Sequence, residues 1–250
     1  MQYHLLNGDS LATTFPEANI PGDIIVVREG LIDGNLSGKT LPEFWHNRAE
    51  YLEIPDSEYH AKVATEFEKI LNAADGTGFN LWFEYDLFCQ VNMWFVLSLI
   101  NQLPVNKKVF AVYTTYLKKG DKNFWNGYGP ANAEEIRFCF QHKIELSDAA
   151  IQTGYDLWNA YKNNDFEKLR SLSSKPSPEF PYLQEVISAH IDRFPKDGHK
   201  GRPQRIIEDI TKNISTDFSK VFQEFWKRES IYGFGDVQLK KMYDEVMSGD

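Results

Sequence analysis

Phe79-Asn80-Leu81-Trp82-Phe83-Glu84-Tyr85-Asp86 runs directly into Leu87-Phe88-Cys89-Gln90 and then into an apolar stretch from Val91 to Leu103. Phe79 to Phe83, preceded by Gly76 and Gly78, suits a strand packed on both faces. The run from Val91 is apolar nearly all round, as a helix buried on every side must be. Between them, Glu84, Tyr85 and Asp86 interrupt both patterns and put acidic groups where a strand ends and a helix begins. A strand, a polar turn and a helix in succession form the repeating unit of a parallel α/β sheet.

The same unit recurs on either side. Tyr3-His4-Leu5-Leu6 reads as a short buried strand, and Asn7-Gly8 turns the chain into Asp9 or Ser10, either of which can cap a short helix ending near Pro16. Pro21-Gly22 opens a second strand, Asp23-Ile24-Ile25-Val26-Val27, which delivers Arg28-Glu29-Gly30 and then Asp33-Gly34. Val63, Phe67, Ile70 and Leu71 recur at helical spacing, and Val109 to Tyr113 is the fourth strand. These elements predict an α/β fold: a mainly parallel open sheet with flanking helices and right-handed crossovers. From Pro130 the pattern is helical, with Ser147 capping the helix that carries Ile151, Tyr155, Trp158 and Tyr161, and no strand stands out. Ser173-Ser174-Lys175-Pro176-Ser177-Pro178 reads as a linker between an α/β domain over 1–172 and a small helical domain over 179–250. Three or four helices are expected in the second, carried by Leu183 to Phe194, Pro203 to Ile210, Phe218 to Trp226 and Val237 to Val246.

The chain of 250 residues is 42% hydrophobic, enough for a sizeable core. Its 27 basic and 36 acidic side chains give a formal charge of −9, so no broad cationic field exists to draw nucleic acid or anionic lipid. The acidity is concentrated up to Leu172, with 15 basic against 23 acidic residues, and the remainder is nearly balanced at 12 against 13. No run is long and apolar enough to span a membrane, and Met1-Gln2-Tyr3-His4 lacks a signal-peptide pattern, so a cytoplasmic location is expected. Cys89 and Cys139 both lie in apolar sequence and suit reduced, buried thiols.

Asn7-Gly8-Asp9-Ser10-Leu11, Val27-Arg28-Glu29-Gly30-Leu31-Ile32-Asp33-Gly34 and Leu81 to Gln90, taken in order, resemble the bacterial family known as domain of unknown function 1835. The resemblance covers roughly the first half of the chain. Gly201-Arg202-Pro203 and Tyr232-Gly233-Phe234-Gly235-Asp236 resemble the helical domain, also of unknown function, that commonly follows it. The resemblance implies a domain plan and a bacterial origin, and it names no reaction.

In open α/β sheets ligands bind beyond the carboxyl ends of the strands, where all three polar blocks fall. If the strands are neighbours, Asn7, Gly8, Asp9, Ser10, Arg28, Glu29, Asp33, Glu84, Asp86 and Gln90 share one crevice. In that arrangement Asp9, Glu84 and Asp86 are candidates for general base action or metal ligation. Asn7, Gly8, Ser10, Arg28, Glu29, Asp33 and Gln90 are candidates for ligand contact, Arg28 orienting an anionic group. Such a cluster suits a hydrated divalent cation such as Mg²⁺, a polyhydroxylated ligand, or a phosphate neutralised by metal. The structural alternatives are that Asp9 and Asp86 only cap helices and that Arg28-Glu29 is only an ion pair. A capping carboxylate also repels an incoming phosphate. Cys89, in the first turn of a helix, is either a thiol of lowered pKa or an inert core residue, and its apolar neighbours favour the second.

No P-loop or nucleophile-elbow pattern is present, and His46, His60, His142 and His190 show no metal-ligand spacing. His4 reads as a hydrogen-bonded core histidine, and Asn126-Gly127-Tyr128-Gly129-Pro130 as a loop over the sheet end. His199-Lys200-Gly201-Arg202 with Arg205 is a local basic patch. The expectation is therefore a small-molecule-binding α/β protein, an enzyme acting on a nucleotide, phosphorylated metabolite or similar polar ligand. The alternative is a regulatory protein whose C-terminal helices bind a macromolecular partner.

Overall fold

The computed structural model describes residues 1–114 and 127–248. Its sheet contains β1 (Gln2–Asn7), β2 (Asp23–Val27), β3 (Thr77–Trp82), β4 (Lys107–Val112) and β5 (Ile144–Glu145), in the order β2-β1-β3-β4-β5. The first four are parallel, so the four strands read from the sequence are neighbours in one sheet. Leu5 lies opposite Ile25 on one side and Leu81 on the other, and Leu6 opposite Val26 and Trp82. β5 is a correction to the all-helical reading after Pro130: it pairs antiparallel with β4 through Ile144 and Glu145. Two residues at a sheet edge are too few for an alternating pattern to show.

The described helices are α1 (Asp9–Thr14), α2 (Leu41–Tyr51), α3 (Asp56–Tyr59), α4 (Thr65–Leu71), α5 (Leu87–Asn101) and α6 (Ala133–Gln141). They continue with α7 (Asp148–Lys162), α8 (Phe166–Ser173), α9 (Leu183–Asp192), α10 (Arg202–Asn213), α11 (Phe218–Glu229) and α12 (Asp236–Ser248). Because side chains alternate along a strand, Leu6, Trp82 and Val112 face one layer, where they meet Leu11 of α1, Phe15 and Ile136 of α6. Leu5, Leu81 and Ala111 face the other, against the larger layer that includes α5 and α7.

α5 is buried from Leu87 to Ile100 except at Phe88. This accounts for its uniform apolarity, since β3 leads into it and α4, α7 and α9 pack around it. Each fully buried large aliphatic side chain there, such as Leu97, stabilises the fold by about 1.5–3 kcal/mol. The approach of α7 depends on Gly154, where an added Cβ would fall 2.4 Å from Leu97 Cδ1.

α9 and the short 3₁₀ turn Ser230–Tyr232 both pack on α5, and one apolar cluster extends from Leu5 through Ile207, Phe225 and Tyr232 to Leu239. Ser173 to Pro178 thus joins two helices, α8 and α9, that contribute to the same core. No described helix is long and apolar enough to cross a membrane.

Candidate functional site

The order β2-β1-β3-β4 makes the chain run outward in opposite directions from β1 and β3. The carboxyl ends of these two strands flank the switch point, the usual ligand crevice of an open parallel sheet. β1 ends there in Asn7, and Gly8, at φ +87°, turns the chain with its N–H on Val27 O at 2.9 Å. Glu84 and Asp86 follow the end of β3.

One carboxylate oxygen of Glu84, one of Asp86 and the sulfur of Cys89 all lie within 4.8 Å of one another. Asp86 caps α5, its Oδ1 accepting from Cys89 N–H at 2.9 Å. Cys89 Sγ in turn accepts from Asn7 Nδ2 at 3.0 Å and sits 3.8 Å from Glu84 Oε2. Glu84 Oε1 accepts Tyr128 N–H at 2.6 Å, so the loop after the fourth strand does cover this sheet end; Asn126 lies outside the described residues. Gln90 donates to Glu84 O at 2.7 Å and orients that turn. Asp86 and Cys89 are buried, whereas Asn7, Gly8, Glu84 and Gly127 each keep some exposure and mark where the cluster opens.

Burial, and then the neighbouring Asp86 charge, push the Glu84 carboxyl up to about 7. Burial also raises Asp86. Cys89 is raised well above the ordinary thiol value by burial and by the two carboxylates, so the lowered-pKa reading of this cysteine is not sustained. The result is a partly exposed acid near neutrality beside a second carboxyl that is fixed as a cap.

The other predicted residues go elsewhere. Asp9 does not cap α1; Gly8 holds that position and Asp9 is the first helical residue. Asp9 instead pairs with Arg28 Nε at 2.8 Å on the surface, and Arg28 also donates to Lys62 O at 3.0 Å. Arg28 therefore does not pair with Glu29. Glu29 is buried with Arg48, Nη2 to Oε2 at 2.8 Å, and receives the Tyr59 hydroxyl. Its backbone still touches the site: Asn92 Nδ2 donates to Glu29 O at 2.6 Å and to Asn7 Oδ1 at 2.9 Å. Asp33 binds Arg193 at 2.8 Å, and Ser10 is exposed on α1. The fold thus brings together Asn7, Glu84, Asp86 and Gln90, and it distributes Asp9, Arg28, Glu29 and Asp33 into structural ion pairs.

Four participants are not among the candidate site residues read from the sequence. Cys89 was weighed only as a thiol by itself. Asn92 sits within the apolar run of α5, and a buried amide there was the one available signal. Tyr128 acts through its backbone. Gly233, at φ +64°, lies so close that an added Cβ would fall 2.0 Å from Asp86 Oδ1, which places the C-terminal helical region against the site. The basic patch is largely neutralised, since Lys200 pairs with Glu208 at 3.0 Å and Arg202 with Glu229 at 2.8 Å. His4 is a satisfied core histidine, bonded to Pro21 O and Trp82 Nε1.

Asp86→Asn tests how the two carboxyls are linked. The amide oxygen can still accept Cys89 N–H, but its NH₂ replaces an oxygen in a buried cap facing backbone donors, so stability is expected to fall by about 1–3 kcal/mol. The Glu84 midpoint, followed by carboxyl-carbon NMR, should move down toward the ordinary glutamate range. An unmoved midpoint would show that Asp86 does not influence Glu84.

No family model, curated protein or solved structure matches the chain.

Proposed function

We propose that this chain binds a small polar molecule at the switch point between β1 and β3, and that Glu84 exchanges a proton with it as an enzyme's general acid or base. The observation that carries this reading is the placing of the Glu84 carboxyl beside the buried Asp86 and Cys89 at the switch point, all three within 4.8 Å, where burial and then the Asp86 charge push Glu84 up to about 7. A group with that pKa is populated in both protonation states at neutral pH, the condition for efficient proton transfer. Asn7, Asn92 and Cys89 form a hydrogen-bonded wall, and Tyr128 N–H fixes one carboxyl oxygen while the other lies 3.8 Å from Cys89 Sγ.

The ligand group that meets Glu84 is neutral and hydroxylated, or cationic. Two clustered carboxyls repel phosphate, and Arg28, the expected anion partner, is engaged by Asp9. A nucleotide or phosphorylated metabolite therefore fits only with its phosphate directed away from the cluster. Mg²⁺ fits this donor set poorly: it prefers oxygen ligands and retains waters, whereas one of the three donors is a thiol and Asp86 faces the positive N-terminal end of α5.

The test is a thermal-shift screen of the full chain with nucleosides, sugars, sugar phosphates and polyamines, repeated on Glu84→Gln. A true ligand at about 100 times its Kd stabilises by roughly 2.7 kcal/mol. That stabilisation is expected in the parent and absent in the variant. Equal shifts in both proteins would remove Glu84 from the site.

A further inference from the structure

Ile231-Tyr232-Gly233-Phe234-Gly235 sets glycines between large apolar residues, in the C-terminal helical region and far along the chain from the acid cluster. The rings anchor this turn. Tyr232 and Phe234 are buried and stack at 5.1 Å, and Phe234 also stacks on Phe225 of α11 at 6.1 Å. Trp226 Nε1 donates to Phe234 O at 2.9 Å, Gly233 N–H donates to Ser230 O at 3.1 Å, and the Arg193 guanidinium lies over the Phe234 ring at 5.4 Å. Arg202, paired with Glu229 at 2.8 Å, lies over Tyr232 at 5.8 Å. Close-packed side chains on both sides of Gly233 thus fix the backbone between them.

What that backbone meets is Asp86. Gly233 has φ +64°, in the left-handed region that glycine enters without steric cost. The three atoms nearest to a Cβ built there all belong to Asp86: it would overlap Oδ1 and fall 2.5 Å from Cγ. Glycine is therefore required twice, by the conformation of the turn and by the space it leaves. Oδ1 is also the atom that accepts Cys89 N–H at 2.9 Å, so it is held between the head of α5 and the C-terminal turn. One oxygen of the same carboxyl lies within 4.8 Å of a Glu84 oxygen. Asp86 is 7% exposed, and the turn is part of what shields it.

We infer that the C-terminal turn is a wall of the Glu84 site and that Gly233 is a positioning residue, holding the Asp86 carboxyl on α5 and beside Glu84. The functional meaning of this rests on the role proposed for Glu84; the geometry does not. When a methyl is added at position 233, the ring-anchored turn gives less easily than one carboxyl, so Oδ1 must leave Cys89 N–H. An aspartate without that hydrogen bond keeps its proton more readily, and a neutral Asp86 no longer repels the Glu84 charge. Withdrawing the turn instead admits water, which relieves the burial that raises Glu84. Both routes carry Glu84 toward the ordinary glutamate range. The helical region that carries Gly233 therefore completes the acid pair, and this face of it is committed to the α/β part rather than to a macromolecular partner.

The experiment follows the Glu84 carboxyl carbon of the full chain by NMR across a pH titration in Gly233→Ala, Trp226→Phe and Gly198→Ala. Gly233→Ala should lower the Glu84 midpoint by about half a unit or more, roughly a threefold change in its protonation constant. Trp226→Phe keeps an aromatic ring at a half-buried position but gives up the bond to Phe234 O, loosening the turn without adding atoms. It should move the midpoint the same way by about 0.2 unit or more. Gly198, exposed at φ +79° with nothing within 4 Å of an added Cβ, supplies the same backbone strain away from the site. Gly198→Ala should therefore lose stability and leave Glu84 where it is. Where Gly233→Ala does not fold, Trp226→Phe decides. A midpoint unmoved in the deciding variant, or moved equally in Gly198→Ala, overturns the inference. Ligand stabilisation lost in Glu84→Gln beside an unmoved midpoint would remove the positioning and keep the role of Glu84. A moved midpoint beside equal ligand shifts in the parent and Glu84→Gln would do the reverse.

Discussion

Replacing Arg48 by methionine is expected to lower the stability of the fold by about 3–5 kcal/mol, the usual consequence of removing one member of a buried ion pair. Both side chains of the Arg48–Glu29 pair are fully buried, and Arg48 also donates to Asp33 O at 2.7 Å. Methionine fills most of the volume but leaves the Glu29 carboxylate in the core with only the Tyr59 hydroxyl and Gly30 N–H as partners. The double variant Glu29→Gln/Arg48→Met removes both charges and should lose distinctly less than Arg48→Met alone. Urea denaturation of the parent and the two variants measures this directly. A loss below about 1 kcal/mol in the single variant would mean that water reaches Glu29 and that the pair is not structural.

The second large effect concerns Glu84 and pH. Its carboxyl lies at about 7 in the folded chain against 4.5 as the ordinary value, so the folded state retains a proton that the unfolded state releases. The contribution is therefore fully present below about pH 4.5 and is lost as pH rises through about 7. At about 1.36 kcal/mol per unit, and allowing for its partial exposure, the swing is about 2–3 kcal/mol. Because Glu84 and Asp86 interact, the titration belongs to the pair, and Glu84→Gln should both flatten this window and let Asp86 ionise more readily. At pH 8 the glutamine variant is expected to be about 2–3 kcal/mol more stable than the parent. Chemical denaturation across pH 4 to 9 checks it. A variant with the parent's pH profile would show that Glu84 titrates normally, and the proposed proton transfer would lose its basis. Stabilisation on removing a buried ionisable group is also what a residue kept for function rather than for folding should give.

Four strands and their parallel arrangement were legible because each is a short apolar run followed by a turn and a helix, a local pattern that admits few topologies. Parallel strands put the loops after β1 and β3 on one sheet edge, but the pairing of β1 with β3, which brings Asn7 to Glu84 and Asp86, was decided by the fold and not by sequence order. The sequence also determined that Asp86 could cap α5, since capping depends only on a residue and the helix that follows it. Tertiary structure decided which charges meet. Asp9 and Arg28, and Glu29 and Arg48, pair 19 residues apart, across elements whose relative placement no local pattern encodes. That placement turned the expected single crevice into a surface pair, a buried pair and one acidic cluster. It also left both ring nitrogens of the buried His190 without a hydrogen-bond partner among the described residues, because burial and hydrogen bonding are properties of the assembled core and not of a residue's neighbours in the chain.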